Sequence, residues 1–581
     1  MRCSASFVAA MASSLAVCRL HMRGRGSLAK CLRKVDTFLH RSIGTNVVAA
    51  EGEALRKDET EETNGRKSFY AVLAERQEQA ERSVLISCQS RSEKKFLKFI
   101  SKHGDVKKYF FYESYGVYAV VEFANRESVA SLLEEAVIPN SSHESSVPFK
   151  SRLLTVRNIG SADSTSQQSG QQYQPQTSIP INELIKKLSR EKSIDQQINT
   201  LTDVYQLTDE NSRLRFLVCS LLKDVVAPYF PECTVKPFGS SVNGFGKLGC
   251  DLDMFLDLDD ISGRNAKMPK SGLSLEFQMK RANSERAVTQ SILSVIGGCV
   301  DQFGPGCVGV QKILNARCPL VRFAHQPSGF QCDLTANNRV AMKSSELLYL
   351  YGELDPRVRS LVFTVRCWAR AHSVTSSIPG AWITNFSLTV MVLFFLQKRS
   401  PPIIPTLDQL RDLAGPADKC VIEGNDCTFV SDFSKIQLQT NTETLEQLLY
   451  EFFEFYSTFT FSTMSINIRK GKEQNKPEVG PLHIQNPFEL SLNISKNVNA
   501  TQLGRFVALC QESLWLLQQS DTSIPRGGDE KVASPWGLAT LLLAPQIAGL
   551  KSQKKRRPEP ASERLKTLLE SLTINSQQKK S

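Results

Sequence analysis

The chain of 581 residues predicts an α+β fold, and three stretches of its sequence carry that prediction. Residues 83–157 hold four short β-forming runs and two amphipathic runs, and an alternation of period two runs through Asp251-Leu252-Asp253-Met254-Phe255-Leu256. Helical patterning fills residues 181–228 and returns behind Asp355-Pro356. At about 150 residues per unit the length allows roughly four folding units, and 41% apolar residues suffice for several cores. The longest near-continuous apolar run, Phe386 to Leu396, is too short to span a bilayer. The 15 cysteines occur singly, with no CxxC pair to build a zinc ribbon or a disulfide framework, and are read as reduced thiols.

Residues 1–50 hold eight basic side chains (Arg2, Arg19, Arg23, Arg25, Lys30, Arg33, Lys34, Arg41) against one acid, Asp36, and so carry most of the formal net charge of +12. A leader rich in Arg, Ser and Ala and nearly free of acid has the composition of a mitochondrial transit peptide, which points to the mitochondrial matrix. One Arg before the uncharged stretch Cys3 to Cys18, and many after it, are the wrong flanks for secretion.

Residues 51–82 read as a linker running into a helix. Beyond them come strand Val84 to Cys88, helix Glu93 to His103, strands Lys108 to Tyr112 and Val117 to Phe123, helix Arg126 to Ala136, and strand Ser151 to Val156. This βαββαβ order over residues 83–157 resembles the ferredoxin-like plan of an RNA-recognition module. Tyr118, Ala119, Val121 and Phe123 match the aromatic signature of its third strand, yet Val120 and, on the first strand, Leu85 stand where base-stacking aromatics are expected. Neither has a π face to offer a base, so this sheet is expected to dock on another domain or on a second copy of the chain, as the surface of a possible homodimer. Residues 158–180, rich in Ser, Gln and Pro, form a flexible linker. Ile181, Leu184, Ile185 and Leu188 then announce an amphipathic helix, and residues 520–581 read as a basic low-complexity tail. Its run Lys554 to Arg557 suits a nuclear signal, a solvated tail or an arm on phosphates.

Chemistry concentrates between Val235 and Asp260. Gly244, Gly246 and Gly249 satisfy G-x-G-x-x-G, but the strand follows the glycines where a dinucleotide site needs it before them; Gly246-Lys247 lacks the remainder of a P-loop. Asp251 and Asp253 are two apart on a strand, so both project from one face while Leu252, Met254 and Leu256 project from the other. Carboxylates this close raise one another's pKa or take a cation between them, and oxygen ligands favour Mg²⁺ or Mn²⁺.

Phe238-Gly239-Ser240 and, ten residues on, Asp251-Leu252-Asp253-Met254 resemble the signature of the nucleotidyltransferase superfamily that includes DNA polymerase β and the poly(A) and poly(U) polymerases. Gly329-Phe330-Gln331-Cys332-Asp333-Leu334, preceded by Ala316 to Phe323, is similar to that family's third-carboxylate strand. The resemblance spans about residues 181–515 and implies a catalytic palm over 181–345 and a helical domain over 346–515. It implies Asp251, Asp253 and Asp333 as catalytic metal ligands of a two-metal site, with Gly239 and Ser240 on the triphosphate and Asn338 and Ser345 at the ribose. Arg366 and Arg370 stand where family members carry phosphate-binding Lys, Phe386 (or, in the alternative alignment, Asn385) where a Tyr stacks on the base, and Asn486 and Glu489 in the nucleotide-recognition segment, usually Asp-Pro-Phe-Glu. Uridine-adding members have His at the position of Leu492, whose absence favours ATP.

With its leader, degenerate RNA-recognition-like domain and basic tail, the chain resembles the mitochondrial branch of the poly(A) polymerases. That resemblance implies template-independent addition of AMP from ATP to RNA 3′ ends, with a terminal uridylyltransferase or a catalytically silent RNA-binding scaffold as the alternatives. Deleting residues 1–50 is expected to leave the chain outside mitochondria, as read by cell fractionation.

Overall fold

In a computed structural model of the chain the described residues are 66–88, 93–137, 149–156, 174, 176–230, 233–257, 284–336, 338–376, 378, 380–520 and 534–543. The leader, most of the linker 158–180 and the run Lys554 to Arg557 lie outside them.

Helix α1 (Phe69–Glu81), capped by the Ser68 hydroxyl, leads into β1 (Ser83–Cys88), α2 (Glu93–Ile100), β2 (Val106–Glu113), β3 (Val117–Phe123), α3 (Arg126–Glu135) and β4 (Leu153–Val156). The sheet order β2-β3-β1-β4 is that of the expected ferredoxin-like plan, but β4 lies parallel to β1, not antiparallel. The reversal follows from where β4 begins. Arg152, just before it, donates from Nη1 to the Ala80 and Ser83 carbonyls, from Nη2 to Ser220 Oγ at 2.6 Å and from Nε to Asp224 at 2.8 Å, pinning the start of β4 beside the start of β1.

One face of this sheet (Val84, Ile86, Phe111, Ala119, Val121, Phe123) packs on its own helix residues Phe96, Ile100, Val129 and Leu132. The opposite face, which an RNA-recognition module keeps open, buries Leu85, Phe110, Tyr112 and Val120 against Leu214, Leu217, Val218 and Leu221 of helix α6 (Asp209–Val226). The sheet therefore docks on a domain of its own chain, and the positions lacking stacking aromatics are the ones spent on that contact. Charges close the seam: Arg82 and Arg213 both donate to the buried Glu122, and Lys108 reaches Asp209 at 2.6 Å.

Helices α4 (Ile181–Leu188) and α5 (Ile194–Tyr205) precede α6. After α6 come β5 (Thr234–Pro237), β6 (Leu252–Asp257), α7 (Glu285–Phe303), β7 (Cys307–Ile313), β8 (Leu320–His325) and β9 (Phe330–Ala336). These strands form one sheet in the order β5-β6-β9-β8-β7, with β6 and β9 parallel. Leu252, Met254 and Leu256 point into its core, as the alternation predicts. Helices α8 (Arg339–Leu354), α9 (Pro356–Ala371), α10 (Asn385–Gln397), α11 (Leu407–Asp412), α12 (Leu445–Thr458), α13 (Ala500–Ser520) and α14 (Leu538–Leu541) follow, with small strand pairs β10–β11 (Val421–Ile422, Asn425–Asp426) and β12–β13 (Met464–Ser465, Gln474–Asn475). Asp355 caps α9 through the Arg357 N–H with Pro356 in its first turn, and the stripe Val358, Leu361, Val362, Val365 and Trp368 is fully buried, as expected.

Two features differ from expectation. Helices α4 and α5 share their apolar core with residues 340–542 and not with the five-stranded sheet, because α5 (Ile198, Leu201) packs on helices α9 and α12 while α4 (Leu184, Leu188) packs on α5 and α14. The stretch expected as a low-complexity tail contains a docked segment, residues 534–543, whose Leu538, Ala539, Leu541 and Leu542 enter that core; Gln197 caps it at the Leu538 N–H and His372 contacts the Leu541 carbonyl. Composition averaged over the tail hides this short apolar run. Among the described residues no helix is long and apolar enough to cross a membrane, and the cysteines are free. Truncating the fully buried Leu85 to Ala should destabilise the protein by about 3 kcal/mol through the cavity at the sheet–helix seam, measurable by chemical denaturation.

Candidate active site

Parallel pairing of β6 with β9 sets Asp253 directly beside Asp333, and antiparallel pairing of β8 with β9 sets Arg322 on the other side of Asp333. Asp251 precedes β6 on the same face as Asp253. In front of them the chain turns through Gly239–Ser241, tied to β6 by the Phe238 N–H on the Asp253 carbonyl (3.0 Å). Gly239 has φ +62°, and a Cβ there would lie 3.1 Å from Asp253 Oδ2, so glycine both permits the turn and makes room for the carboxylate.

A cleft of about 1260 Å³ opens over this turn. Of the residues nominated from sequence, Gly239, Ser240, Asp251, Asp253, Asn338, Ser345, Arg366, Phe386, Asn486 and Glu489 line it, together with Asn385. Asp333 lies behind the front rank, and Arg370, one helical turn beyond Arg366, is exposed and outside the lining. Leu492 is also outside the lining; its carbonyl accepts the Asn486 N–H at 2.9 Å. Ser345 is nearly enclosed, its hydroxyl donating to the Ala341 carbonyl and accepting from the Gly239 N–H at 2.8 Å, so it supports the turn. Asn486 Oδ1 accepts from the Phe488 and Glu489 N–H groups, the acceptor work of the Asp that usually stands there, and Glu489 pairs with Arg317 across the cleft. Asp257 approaches Arg339 and not the carboxylate group, as expected for its position farther along β6.

Electrostatics set the carboxylates apart. Burial, then the Asp333 and Asp251 charges, push Asp253 up to about 7, and burial with Asp333 raises Asp251 as well. Among the described residues neither side chain has a hydrogen-bond or ion-pair partner, a donor set of hard oxygens that fits a divalent cation. Asp333 is held differently: Arg322 grips it with Nε at 2.8 Å and Nη2 at 2.7 Å, so the described residues present no finished three-ligand cage. Behind the turn is a cationic group. Burial lowers Arg366 to about 10, and burial followed by the charges of Arg370 and Arg366 lowers Lys247, so this corner favours an incoming anion.

Three contributors were not singled out from the sequence. Arg322 could have been found by pairing outward from the Gln326–Gly329 turn, which sets it opposite Asp333. Lys247 stood in plain view beside a glycine, as part of a motif rejected for good reason. Arg215, on α6, carries no signal: it meets Ser241 and the Asp251 carbonyl only because its helix crosses behind the two segments that hold them.

A Gly-Ser turn facing two strand-borne carboxylates and a third just ahead of its strand, on a mixed sheet with a helical half closing the cleft, defines a nucleotidyltransferase. Residues 194–353 match the family described as "Poly(A) RNA polymerase, mitochondrial-like, central palm domain", residues 68–137 the RL domain, and residues 444–493 the "Cid1 family poly A polymerase". The chain is 57% identical over 555 residues to the Mus musculus protein named "Poly(A) RNA polymerase, mitochondrial", covering 95% of this chain and 93% of that one. It is 58% identical to its Homo sapiens namesake, covering 88% and 87%. A crystal structure of mtPAP in complex with ATPγS superposes with a TM-score of 0.76 at 55% identity, covering 82% of this chain and all of the other. The chain belongs to the mitochondrial poly(A) RNA polymerase family.

Because Asp253 takes up a proton below about pH 7, a divalent cation must displace that proton to bind. Apparent Mn²⁺ affinity should therefore fall about tenfold for each pH unit below that point and level off above it, as read by calorimetry.

Proposed function

We propose that the chain is a template-independent polynucleotide adenylyltransferase that adds AMP from ATP to the 3′ ends of RNA in mitochondria. The observation that carries this reading is the in-register pair Asp253–Asp333 beside Asp251, under the Gly239–Ser241 turn. Asp251, Asp253 and Asp333 would hold two Mg²⁺ or Mn²⁺ ions, which when bound neutralise the triphosphate and lower the pKa of the attacking 3′-hydroxyl. The chain's own part is positioning and charge. Gly239 and Ser240 orient the triphosphate, while Arg366, with Arg370 and Lys247 behind it, balances the β and γ charges. Asn338 stands at the ribose, and Ser345, expected beside it, acts from behind by holding the Gly239 N–H of the triphosphate turn. Phe386 is placed to stack on the base, with Asn385 beside it, and the segment folded by Asn486 brings Glu489 to the base edge.

A homodimer through the RL domain remains part of this proposal, formed by its edges or its helical layer, since the open face of its sheet is occupied by α6. The residues serve as domains in the order RL domain, palm and helical domain, with the helical part built from segments on both sides of the palm.

The test is extension of a short RNA by protein lacking residues 1–50, with each nucleotide in turn, beside Asp251→Ala. Preferential use of ATP, reduced at least about a thousandfold by Asp251→Ala with RNA binding retained, is the expected result. Preferential use of UTP would establish the uridylyltransferase alternative, and extension undiminished by Asp251→Ala would end the two-metal assignment.

A further inference from the structure

Arg215 is among the largest fully buried side chains of the molecule. Among the described residues it has no carboxylate in hydrogen-bonding contact, and three of its four polar contacts go to the Gly239–Ser241 turn and the backbone ahead of β6. Nη1 donates to Ser241 Oγ and to the Asp251 carbonyl, both at 2.9 Å; Nη2 donates to the Cys250 carbonyl at 2.7 Å; Nε donates to Asn211 Oδ1 at 2.8 Å, and the guanidinium lies 4.6 Å over the Phe330 ring. A buried cation is costly unless its donors are satisfied, so such a group is held where its geometry is used. Here one planar fork spans two loops: the Gly239–Ser241 turn, and the backbone that delivers Asp251 to β6. Ser240 Oγ reaches Cys250 Sγ at 3.4 Å across the same gap, so Arg215 is the charged part of that link and the one that grips the backbone carbonyls.

We infer that Arg215 is a positioning residue for nucleotidyl transfer, fixing the distance between the triphosphate turn and the metal-binding carboxylates. It touches no reacting atom. Its positive charge also lies beneath Asp251 and Asp253, limiting their mutual repulsion before a cation arrives. The helix bearing it is the one on which the RL sheet docks, through Leu214 and Leu217 on either side of Arg215 in sequence. Seating of the RL domain thus bears on the active site through one helix.

The inference rests on the adenylyltransferase reading, and the test keeps the two apart. Wild-type protein, Asp251→Ala, Arg215→Met and Arg215→Lys are compared for AMP incorporation, KM for ATP, Mn²⁺ dependence and thermal midpoint. A lysine is a single point donor and cannot span three acceptors, so both Arg215 variants should lose kcat about a hundredfold while KM for ATP changes less than about threefold. Half-saturating Mn²⁺ should rise about tenfold in both, a change that partial unfolding does not produce. If Arg215→Met fails to fold, Ser241→Ala cuts only the turn end of the clamp and should lower kcat about tenfold with the same shift in Mn²⁺ dependence. Wild-type kcat in Arg215→Lys, or an unchanged Mn²⁺ requirement in every folded variant, would overturn the assignment. Inactive wild-type protein would instead overturn the reading of function.

Discussion

Asp253 and Asp333 occupy neighbouring parallel strands, whose spacing is about 4.8 Å, with Asp251 just ahead on the same face, and three carboxylates this close are stable together only when positive charge is supplied. The surrounding chain supplies it in graded form. Arg322 engages Asp333 from the adjacent strand, Arg215 lies beneath Asp251, and Asp253 responds by holding a proton more tightly than a free carboxylate does. The arrangement is preorganised for a cation. Much of the fold serves this balance: the parallel register of β6 and β9, the glycine that lets the phosphate turn approach, and the helix that anchors both.

The Gly-Ser turn and the first two carboxylates were legible because their chemistry is local: a turn, ten residues, and two acids on alternate positions of one strand. Asp333, 80 residues away, was legible only through a family resemblance, since nothing in its own neighbourhood says which strand it will join. The helix opened by Asp355-Pro356 was readable from its cap and its stripe. What escaped depends on tertiary approach. Arg215 sits among apolar neighbours on a helix and acquires its partners only when two loops fold over it, and Arg370, in line with Arg366 on a helical wheel, ends up one turn too far to line the cleft. The direction of β4 was likewise unreadable, because it is decided by the four contacts of Arg152 and not by the strand's own composition.

The four-stranded sheet shows how substitution of two side-chain types redirects a surface. With aromatics at Leu85 and Val120 the exposed face would offer bases a platform; with aliphatics it offers another protein element a dry contact, and α6 takes it. The flanking ion pairs of Glu122 with Arg213 and of Lys108 with Asp209 then hold the two domains in one orientation.

The helical core is assembled from three separated stretches, and its last contribution comes from residues 534–543, which seal Gln197 and His372. A chain delivered amino-terminus first can complete the five-stranded sheet long before those residues emerge, but the bundle around Ile194 and Ile198 stays unsealed until Leu538 has arrived. The helical core is therefore covered last by residues made after the rest of it, and a chain stopped before Leu538 would leave the apolar surface around Ile194 and Ile198 open to water.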